Sequence, residues 1–208
     1  MPIRAIIFDF GNVIGFFDHR RTVSQLARFT DLPPTDVTRI LYNGELEDAY
    51  ERGLIDTASY LRECRRAARL TCSDAEFLRA YSNIFWRNDE VCQLIPHLKP
   101  DYRVVLASNT TPAHYETFAN EFADLLQWFD YLGTSFRIGA RKPEHAYFAR
   151  IHEQTHAEPQ ECLFIDDLPK NVESAREFGW HGIVYQPDGS LFAKLRDAGI
   201  VVSKTDVD

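Results

Sequence analysis

Three short apolar runs of the 208-residue sequence end in residues that can do chemistry. The first run ends at Asp9, the second at Ser108 and Asn109, and the third at the pair Asp166 and Asp167. Hard cations prefer oxygen ligands, so two adjacent carboxylates favour a bound cation. Any one of these clusters is also typical of turns and helix N-caps. Their recurrence at the ends of successive runs instead indicates a shared site.

A basic segment, Arg141-Lys142-Pro143, precedes a predicted helix and completes this set. The chain has a formal net charge of −8 and only five lysines, so a site for an anion must concentrate its positive charge locally. We expect Lys142 to supply that charge and Lys170 to start a helix at the surface. The same net charge disfavours a nucleic-acid partner, which requires a basic stripe.

The elements that position these residues are predicted from the apolar pattern. Continuous apolar runs indicate strands that are buried on both faces, and 3.6-residue periodicity indicates helices between them. Strands that alternate with helices predict an α/β fold, with a Rossmann-like and mainly parallel sheet. In such a sheet, ligands bind at the carboxyl ends of the strands, which is where the polar clusters fall. The predicted strands are 3–8, 102–107, 162–165 and 182–185, with a weaker one at 130–134, and the predicted helices are 112–126, 144–154 and 168–178.

Residues 17–86 interrupt this alternation. They contain apolar stripes at helical spacing and no convincing strand, which predicts a small helical bundle inserted after the first strand. We therefore predict a core domain of residues 1–16 and 87–208 and a helical cap domain of residues 17–86. Residues 42–45 and the turn at 51–53 are candidates for the cap surface that contacts a substrate.

Four motifs, in this order, resemble those of the haloacid dehalogenase-like hydrolase superfamily. They are Ile6 to Ile14 (IIFDFGNVI), Leu106 to Asn109 (LASN), Arg141-Lys142-Pro143, and Phe164 to Asn171 (FIDDLPKN). The inserted helices are similar to the superfamily's first class of cap. The Asp-x-Gly-Asn-Val first motif and the Arg-Lys-Pro-Glu third motif are similar to the bacterial glucose-1-phosphatase-like branch. The resemblance covers nearly the whole chain.

The resemblance implies a phosphomonoester hydrolase that requires Mg²⁺ and acts on a small phosphorylated metabolite, such as a sugar 1-phosphate. A carboxylate that attacks a phosphate dianion is repelled by about 8 kcal/mol at ~4 Å and an effective dielectric constant of ~20, so positive charge is needed. Asp9 would form an aspartyl-phosphate. Lys142 would neutralise the phosphate, and Ser108 and the backbone amide of Asn109 would bind it. The implied metal ligands are Asp9, Asp167, Asp166 and the backbone carbonyl of Gly11, with Asn171 orienting them.

One position departs from the pattern of the superfamily. Most of its phosphatases have an aspartate two residues after the nucleophile as general acid and base, and this chain has Gly11 there. An ester with a good leaving group would tolerate this loss, and Asp18 or His19 would be a substitute proton donor. A metal-independent 2-haloacid dehalogenase and a non-catalytic binding protein are the alternatives.

The expected location is the cytoplasm. No apolar run approaches the ~20 residues that span a bilayer, and the N-terminus does not resemble a secretory signal. We therefore expect no membrane partner, and the sequence leaves the oligomeric state open.

Overall fold

A parallel sheet forms the centre of the protein. The computed structural model describes residues 1–42 and 44–202, so Asn43 of the predicted cap surface lies outside the described residues. Within these ranges the strands are β1 (Ala5–Phe8), β2 (Gly15–Phe17), β3 (Phe85–Arg87), β4 (Arg103–Ser108), β5 (Tyr131–Thr134), β6 (Cys162–Asp166) and β7 (His181–Val184). Five of them pair in the order β5-β4-β1-β6-β7, and every pairing is parallel. The predicted α/β fold is confirmed, as are the five predicted strands.

Burial on both faces explains why these strands are apolar throughout. Along β1, Ile6 and Phe8 belong to one core cluster, whereas Ala5 and Ile7 belong to the cluster on the opposite face. Successive residues of a strand point to opposite faces, so a strand that is covered on both sides needs apolar residues at every position. All four residues of β1 are fully buried.

The helices fall into two groups. Five of the described helices lie between β2 and β3, and the others connect or follow the strands of the central sheet. The first group is α1 (His19–Leu26), α2 (Pro34–Tyr42), α3 (Glu45–Glu51), α4 (Thr57–Ala67) and α5 (Asp74–Ser82). The second is α6 (Asp89–Leu98), α7 (Pro112–Glu121), α8 (Ala123–Leu126), α9 (Ser135–Ile138), α10 (His145–His152), α11 (Pro169–Glu177) and α12 (Leu191–Asp197). The sequence predicted one helix over 112–126, but the backbone leaves the helical region at Phe122 and divides it into α7 and α8.

Helices α1 to α5, which we call the helical segment, surround an apolar cluster of their own. Its members include Leu26, Leu41, Tyr60 and Phe77, which come from four different helices and are fully buried. A hydrophobic stripe at helical spacing must be covered by another element, so these amphipathic helices pack against one another. The division of the chain into core and cap domains at 16/17 and 86/87 stays a prediction.

Two short strands join the helical segment to the rest of the chain, where the sequence predicted no convincing strand. Strands β2 and β3 pair antiparallel, with Phe16 opposite Trp86 and Phe17 opposite Phe85. Strands of three residues are too short to show a period of two, which explains why the sequence pattern did not indicate them. No helix among the described residues has the length and apolar character needed to cross a membrane.

Candidate active site

The strands of the central sheet bring the predicted site residues to one edge. Phe8, at the end of β1, is level with Leu106 of β4 and Ile165 of β6. The amide of Asp9 then donates to the carbonyl of Ile165 at 2.9 Å, which extends the pairing by one residue. Asp9 therefore lies between the carboxyl ends of its two neighbouring strands. Asp166 ends one of these strands and Ser108 ends the other.

Lys142 lies at the centre of this group. Its Nζ atom is 2.7 Å from Asp9 Oδ1 and 2.7 Å from Asp166 Oδ2, and its side chain is only 1% exposed. The side-chain amide of Asn109 holds the backbone of the lysine. Its Nδ2 donates to the Lys142 carbonyl at 3.0 Å, and its Oδ1 accepts from the Lys142 backbone amide at 2.8 Å. Burial alone would lower the pKa of Lys142, but Asp166 and Asp9 outweigh it and raise that pKa. The lysine is therefore held as a cation.

Asp166 is saturated by hydrogen bonds. Its Oδ1 accepts from the Leu168 amide at 2.8 Å and from Asn171 Nδ2 at 3.0 Å, and its Oδ2 accepts from Lys142 and Asn171. Asp166 is completely buried and Asn171 is nearly so. These contacts fix the turn between β6 and α11 and hold Asp166 next to the lysine. The assignment of Asp166 as a metal ligand stays a prediction.

Asp9 and Asp167 each keep one carboxylate oxygen free of hydrogen bonds from the described residues. Oδ1 of Asp9 accepts from the Phe10 amide and contacts Lys142, and Oδ2 of Asp167 accepts from Asn12 Nδ2 at 3.0 Å. The carboxylates of Asp9, Asp166 and Asp167 offer oxygen atoms within 4.8 Å of one another. Three carboxylates against one ammonium group leave two negative charges in a buried space. The charge and the oxygen donors fit a divalent cation such as Mg²⁺.

The pKa shifts of the two aspartates have the same main cause. Burial raises the pKa of Asp9 to about 7, Lys142 opposes this shift, and Asp166 adds to it. Burial also raises the pKa of Asp167, and its hydrogen bond from Asn12 opposes the increase. Both shifts reflect the cost of holding negative charge away from water without enough positive charge nearby.

Gly11 lies in a tight turn that closes over Asp9. The carbonyl of Phe10 accepts hydrogen bonds from three amides of the turn, those of residues 13 to 15, and Asn12 has a left-handed backbone with φ of 55°. A Cβ atom on Gly11 would lie 2.9 Å from Cε1 of Phe17. The aromatic ring therefore occupies the space that a side chain at position 11 would need. Gly11 itself has no side chain that could donate a proton.

A cavity of about 80 Å³ opens between this turn and the helical segment. Gly11, Ser108 and Asn109 line it on the side of the sheet, and Phe17 and Phe85 contribute apolar surface. The described titratable side chains that line it are His19, Glu47, Glu51 and His114. Ser108, Asn109 and four ionisable groups thus share one cavity.

The two predicted substitute proton donors have different positions. Asp18 caps α1 by accepting from the Arg20 amide at 2.9 Å, pairs with the Arg20 side chain, and does not belong to the cavity lining. These bonds to Arg20 lower the pKa of Asp18, which disfavours a proton-donor role at neutral pH. His19 does line the cavity, and its ring stacks on Tyr42 with centroids 3.7 Å apart. Burial lowers the pKa of His19 to about 4, so this imidazole is neutral at pH 7.

Several residues of the site were not identified from the sequence. Asn12 stands in the first motif, but its bond to Asp167 crosses 155 positions of sequence. Glu47 and His114 lie on helices whose periodicity says nothing about a cavity between them. Among the predicted cap-surface residues, Glu51 lines the cavity and Tyr42 is buried against His19. Gly44, Glu45 and Gly53 are exposed to solvent and do not line the cavity. Arg52 forms an ion pair with Glu144.

Known proteins are similar to this chain in sequence or in fold. D-ribitol-5-phosphate phosphatase from Bacteroides thetaiotaomicron is 27% identical over 201 residues, which cover 89% of this chain and 92% of that protein. A flavin mononucleotide hydrolase of Arabidopsis thaliana is 36% identical over 93 residues, 43% of this chain and 38% of that protein. The solved structure of a predicted haloacid dehalogenase-like family hydrolase from Porphyromonas gingivalis superposes with a TM-score of 0.81 at 25% identity, covering 94% of this chain and 98% of that one.

A second solved structure has the same fold. It is an enzyme of the same family from Bacteroides thetaiotaomicron in complex with magnesium and inorganic phosphate, with a TM-score of 0.81 at 21% identity, covering 93% of this chain and all of that one. The family model described as haloacid dehalogenase-like hydrolase matches residues 3–179, which contain all four motifs and the whole helical segment. The chain therefore belongs to the haloacid dehalogenase-like hydrolase family.

Proposed function

We propose that the protein is a Mg²⁺-dependent phosphomonoester hydrolase whose nucleophile is the carboxylate of Asp9. The observation that carries this proposal is the buried ammonium of Lys142 between Asp9 and Asp166, with Asp167 in the same cluster. A buried nucleophilic carboxylate beside a fixed cation is the arrangement that attack on an anionic phosphorus centre requires. The relatives named as phosphatase and hydrolase, and the relative crystallised with magnesium and phosphate, support the proposal.

Each residue has a defined part in this chemistry. Asp9 attacks phosphorus through an oxygen of its carboxylate, and Lys142 balances the charge of the non-bridging oxygens. Ser108 and the backbone amide of Asn109 bind the same oxygens from the end of β4. Asn171 and Asp166 hold the lysine and the following turn in place through the hydrogen bonds described above.

The metal site would be completed by oxygen ligands alone. Asp9, Asp167 and the backbone carbonyl of Gly11 would hold Mg²⁺, which supplies two further positive charges against the phosphate when it is bound. The free oxygens of the two aspartates and the excess negative charge of the cluster support this assignment. A metal-independent dehalogenase has no need of a second free carboxylate at this position, so the site favours the phosphatase.

The substrate we propose is the phosphate ester of a small hydroxylated metabolite. The small volume of the cavity supports a small leaving group, and its polar lining supports one that carries hydroxyl groups. A sugar 1-phosphate remains our specific candidate because an anomeric oxygen leaves with little help from an acid. The relative that acts on D-ribitol 5-phosphate adds sugar-alcohol phosphates to the candidates. The absence of a nucleic-acid partner and the cytoplasmic location both stay predictions.

The test is phosphate release from a panel of sugar 1-phosphates, sugar-alcohol phosphates and p-nitrophenyl phosphate. Each ester is assayed with Mg²⁺ and with EDTA, for the wild type and for Asp167→Asn. We expect release that requires Mg²⁺ and falls by at least about 10²-fold in the variant, the order of a lost charge stabiliser. If none of the esters is hydrolysed, and 2-haloacids lose halide instead, the dehalogenase is the correct assignment.

A further inference from the structure

The cavity lacks an obvious proton donor for the leaving group. When the bond between phosphorus and an alkyl oxygen breaks, that oxygen acquires negative charge and needs a proton, and a positioned acid contributes about 10²–10⁴-fold to such a step. Gly11 has no side chain, and the ring of Phe17 fills the space beside it. The donor must therefore come from another wall of the cavity.

The two histidines of the cavity are poorly suited to this role. Burial lowers the pKa of His114 to about 3 and that of His19 to about 4, so both rings are neutral at pH 7. Nε2 of His114 lies 3.1 Å from the carbonyl oxygen of Tyr81. A carbonyl can only accept, so this nitrogen carries the proton of the neutral ring and donates it to the backbone.

The two glutamates differ in their partners. Glu51 Oε2 lies 2.8 Å from Arg141 Nη2, an ion pair without hydrogen-bond geometry, which keeps a guanidinium group beside this carboxylate. Glu47 lies one turn earlier on α3 and has neither a hydrogen bond nor an ion pair with any described residue. Residues four positions apart share a helix face, so the two side chains enter the cavity together. Glu47 is thus the unpaired carboxyl group of the cavity.

The surroundings of Glu47 favour its protonated form. Burial raises the pKa of this carboxyl to about 8, the negative charge of Glu51 adds to the shift, and Arg141 opposes it. A carboxylic acid that keeps its proton at neutral pH is able to donate it during turnover. The other titratable groups that face it are Asp48 on its own helix, Tyr42, Cys64 and Tyr81 on α2, α4 and α5, and His19 and His114 across the cavity.

We propose that Glu47 is the general acid and base of the reaction, acting from the helical segment in place of a residue at position 11. This inference rests on the proposed function. As Asp9 bonds to phosphorus and the leaving oxygen departs, the proton of Glu47 moves to that oxygen and releases a neutral alcohol. The Glu47 carboxylate then takes a proton from the water that attacks the aspartyl-phosphate. This second step breaks the bond between phosphorus and Asp9, releases phosphate, and restores both carboxyl groups to their starting forms.

The test compares leaving groups rather than total activity. Sugar-alcohol phosphates have a poor leaving group that requires a proton, whereas p-nitrophenyl phosphate has a good one that does not. Glu47→Gln is expected to lower kcat for the sugar-alcohol ester by about 10²-fold and kcat for the aryl ester by less than about threefold. The fall of kcat above about pH 8 with the alkyl ester is expected to disappear in the variant. Glu121→Gln, an exposed glutamate at the end of α7 that does not line the cavity, is the control and should leave both esters unaffected.

Three outcomes would overturn the inference. Equal losses for both esters in Glu47→Gln would indicate a structural or binding role. A loss specific to the poor leaving group in His19→Gln, but not in Glu47→Gln, would assign the proton to the histidine. If the wild type hydrolyses neither ester, the proposed function fails and this inference fails with it. In the first two outcomes the wild type is an active, Mg²⁺-dependent phosphatase, which separates them from the third.

Discussion

The protein has two groups of buried or half-buried carboxylates, one at the edge of the sheet and one in the cavity, and their partners differ. Asp9 and Asp166 share the ammonium of Lys142 at 2.7 Å, so they remain close to positive charge. Glu47 faces Glu51 and has no cation of its own at hydrogen-bond distance. The first group has a cation that balances part of its negative charge, whereas Glu47 has none and keeps a proton. This contrast assigns nucleophilic attack to one group and proton transfer to the other.

The shifted pKa of Glu47 predicts a pH-dependent effect on stability. A carboxyl whose pKa is about 8 in the folded state and 4.5 in its ordinary state stabilises the fold below pH 4.5, and this contribution is lost as the pH rises through about 8. A glutamine at this position stays neutral at every pH, so the stability of the variant does not fall in this pH range for that reason. The Tm of Glu47→Gln minus the Tm of the wild type should therefore be about 3 °C larger at pH 9 than at pH 5.

Thermal unfolding of both proteins at the two pH values measures this difference. The control is Glu45→Gln, which lies on the same helix and is exposed to solvent. A Tm difference that is the same at both pH values for Glu47→Gln would show that its carboxyl ionises normally in the folded protein.

At the level of elements, α3 is bound to the loop that carries Lys142. Arg52, which follows the last residue of this helix, pairs with Glu144, and Arg141 pairs with Asp48 of the helix at 3.0 Å. The two loop residues of these pairs flank the segment that contains Lys142. The network therefore connects the position of the helical segment, which carries Glu47, to the position of the lysine beside Asp9.

Breaking this network should weaken catalysis. Arg52→Met keeps most of the side-chain bulk and removes the charge that pairs with Glu144 and Asp48, and we expect kcat/KM to fall about fivefold, which corresponds to roughly 1 kcal/mol for a networked pair. Added salt should lower the wild-type value toward that of the variant because exposed ion pairs are screened.

Arg66→Met is the matched control for this experiment. Arg66 pairs with Glu63 on the outer surface of the same helical segment, and its side chain is 77% exposed. Similar values of kcat/KM for the two variants, at low and high salt, would show that the contacts of α3 with the loop have no part in catalysis.

At the scale of the whole molecule, the acidic cluster couples metal binding to folding. Three carboxylates converge there only when β1 and β6 are paired, so a divalent cation binds the folded chain and not the unfolded one. Saturation to 100 times Kd would stabilise the fold by about 2.7 kcal/mol. For a chain of this size, this corresponds to a rise in Tm of about 5–10 °C on addition of Mg²⁺.

Asp167→Asn should abolish most of this rise in Tm, and Asp101→Asn, an exposed aspartate outside the site, should leave it intact. Differential scanning fluorimetry with and without Mg²⁺ measures both shifts. Equal shifts in the two variants would place the cation outside this cluster.

The sequence predicted the central sheet well because its physical signal is local. A strand such as β6 is buried on both faces and has an apolar residue at each of its first four positions, which no surface segment of this length needs. The polar residues at its end could be identified from the sequence because they directly follow this apolar run. Asp9, Ser108 and Asp166 were therefore predicted to share an edge, which the paired strands provide.

The remaining features depend on contacts between distant segments. The bond from Asn12 to Asp167 and the contact of Gly11 with Phe17 follow from the path of the chain, not from the composition of either segment. Glu47 looks like an ordinary polar residue on a short helix until the helical segment is placed over the sheet. Its burial and its lack of a partner are tertiary properties.

The most direct test of the account is detection of a phosphoryl group on Asp9 during turnover. The protein is mixed with p-nitrophenyl phosphate and Mg²⁺, quenched in acid within one turnover, and digested for mass spectrometry. In the wild type we expect one phosphoryl group on the peptide that contains Asp9. In Asp9→Asn we expect neither this adduct nor phosphate release. Phosphate release at the wild-type rate by Asp9→Asn would contradict it, because the nucleophile would then be a different group.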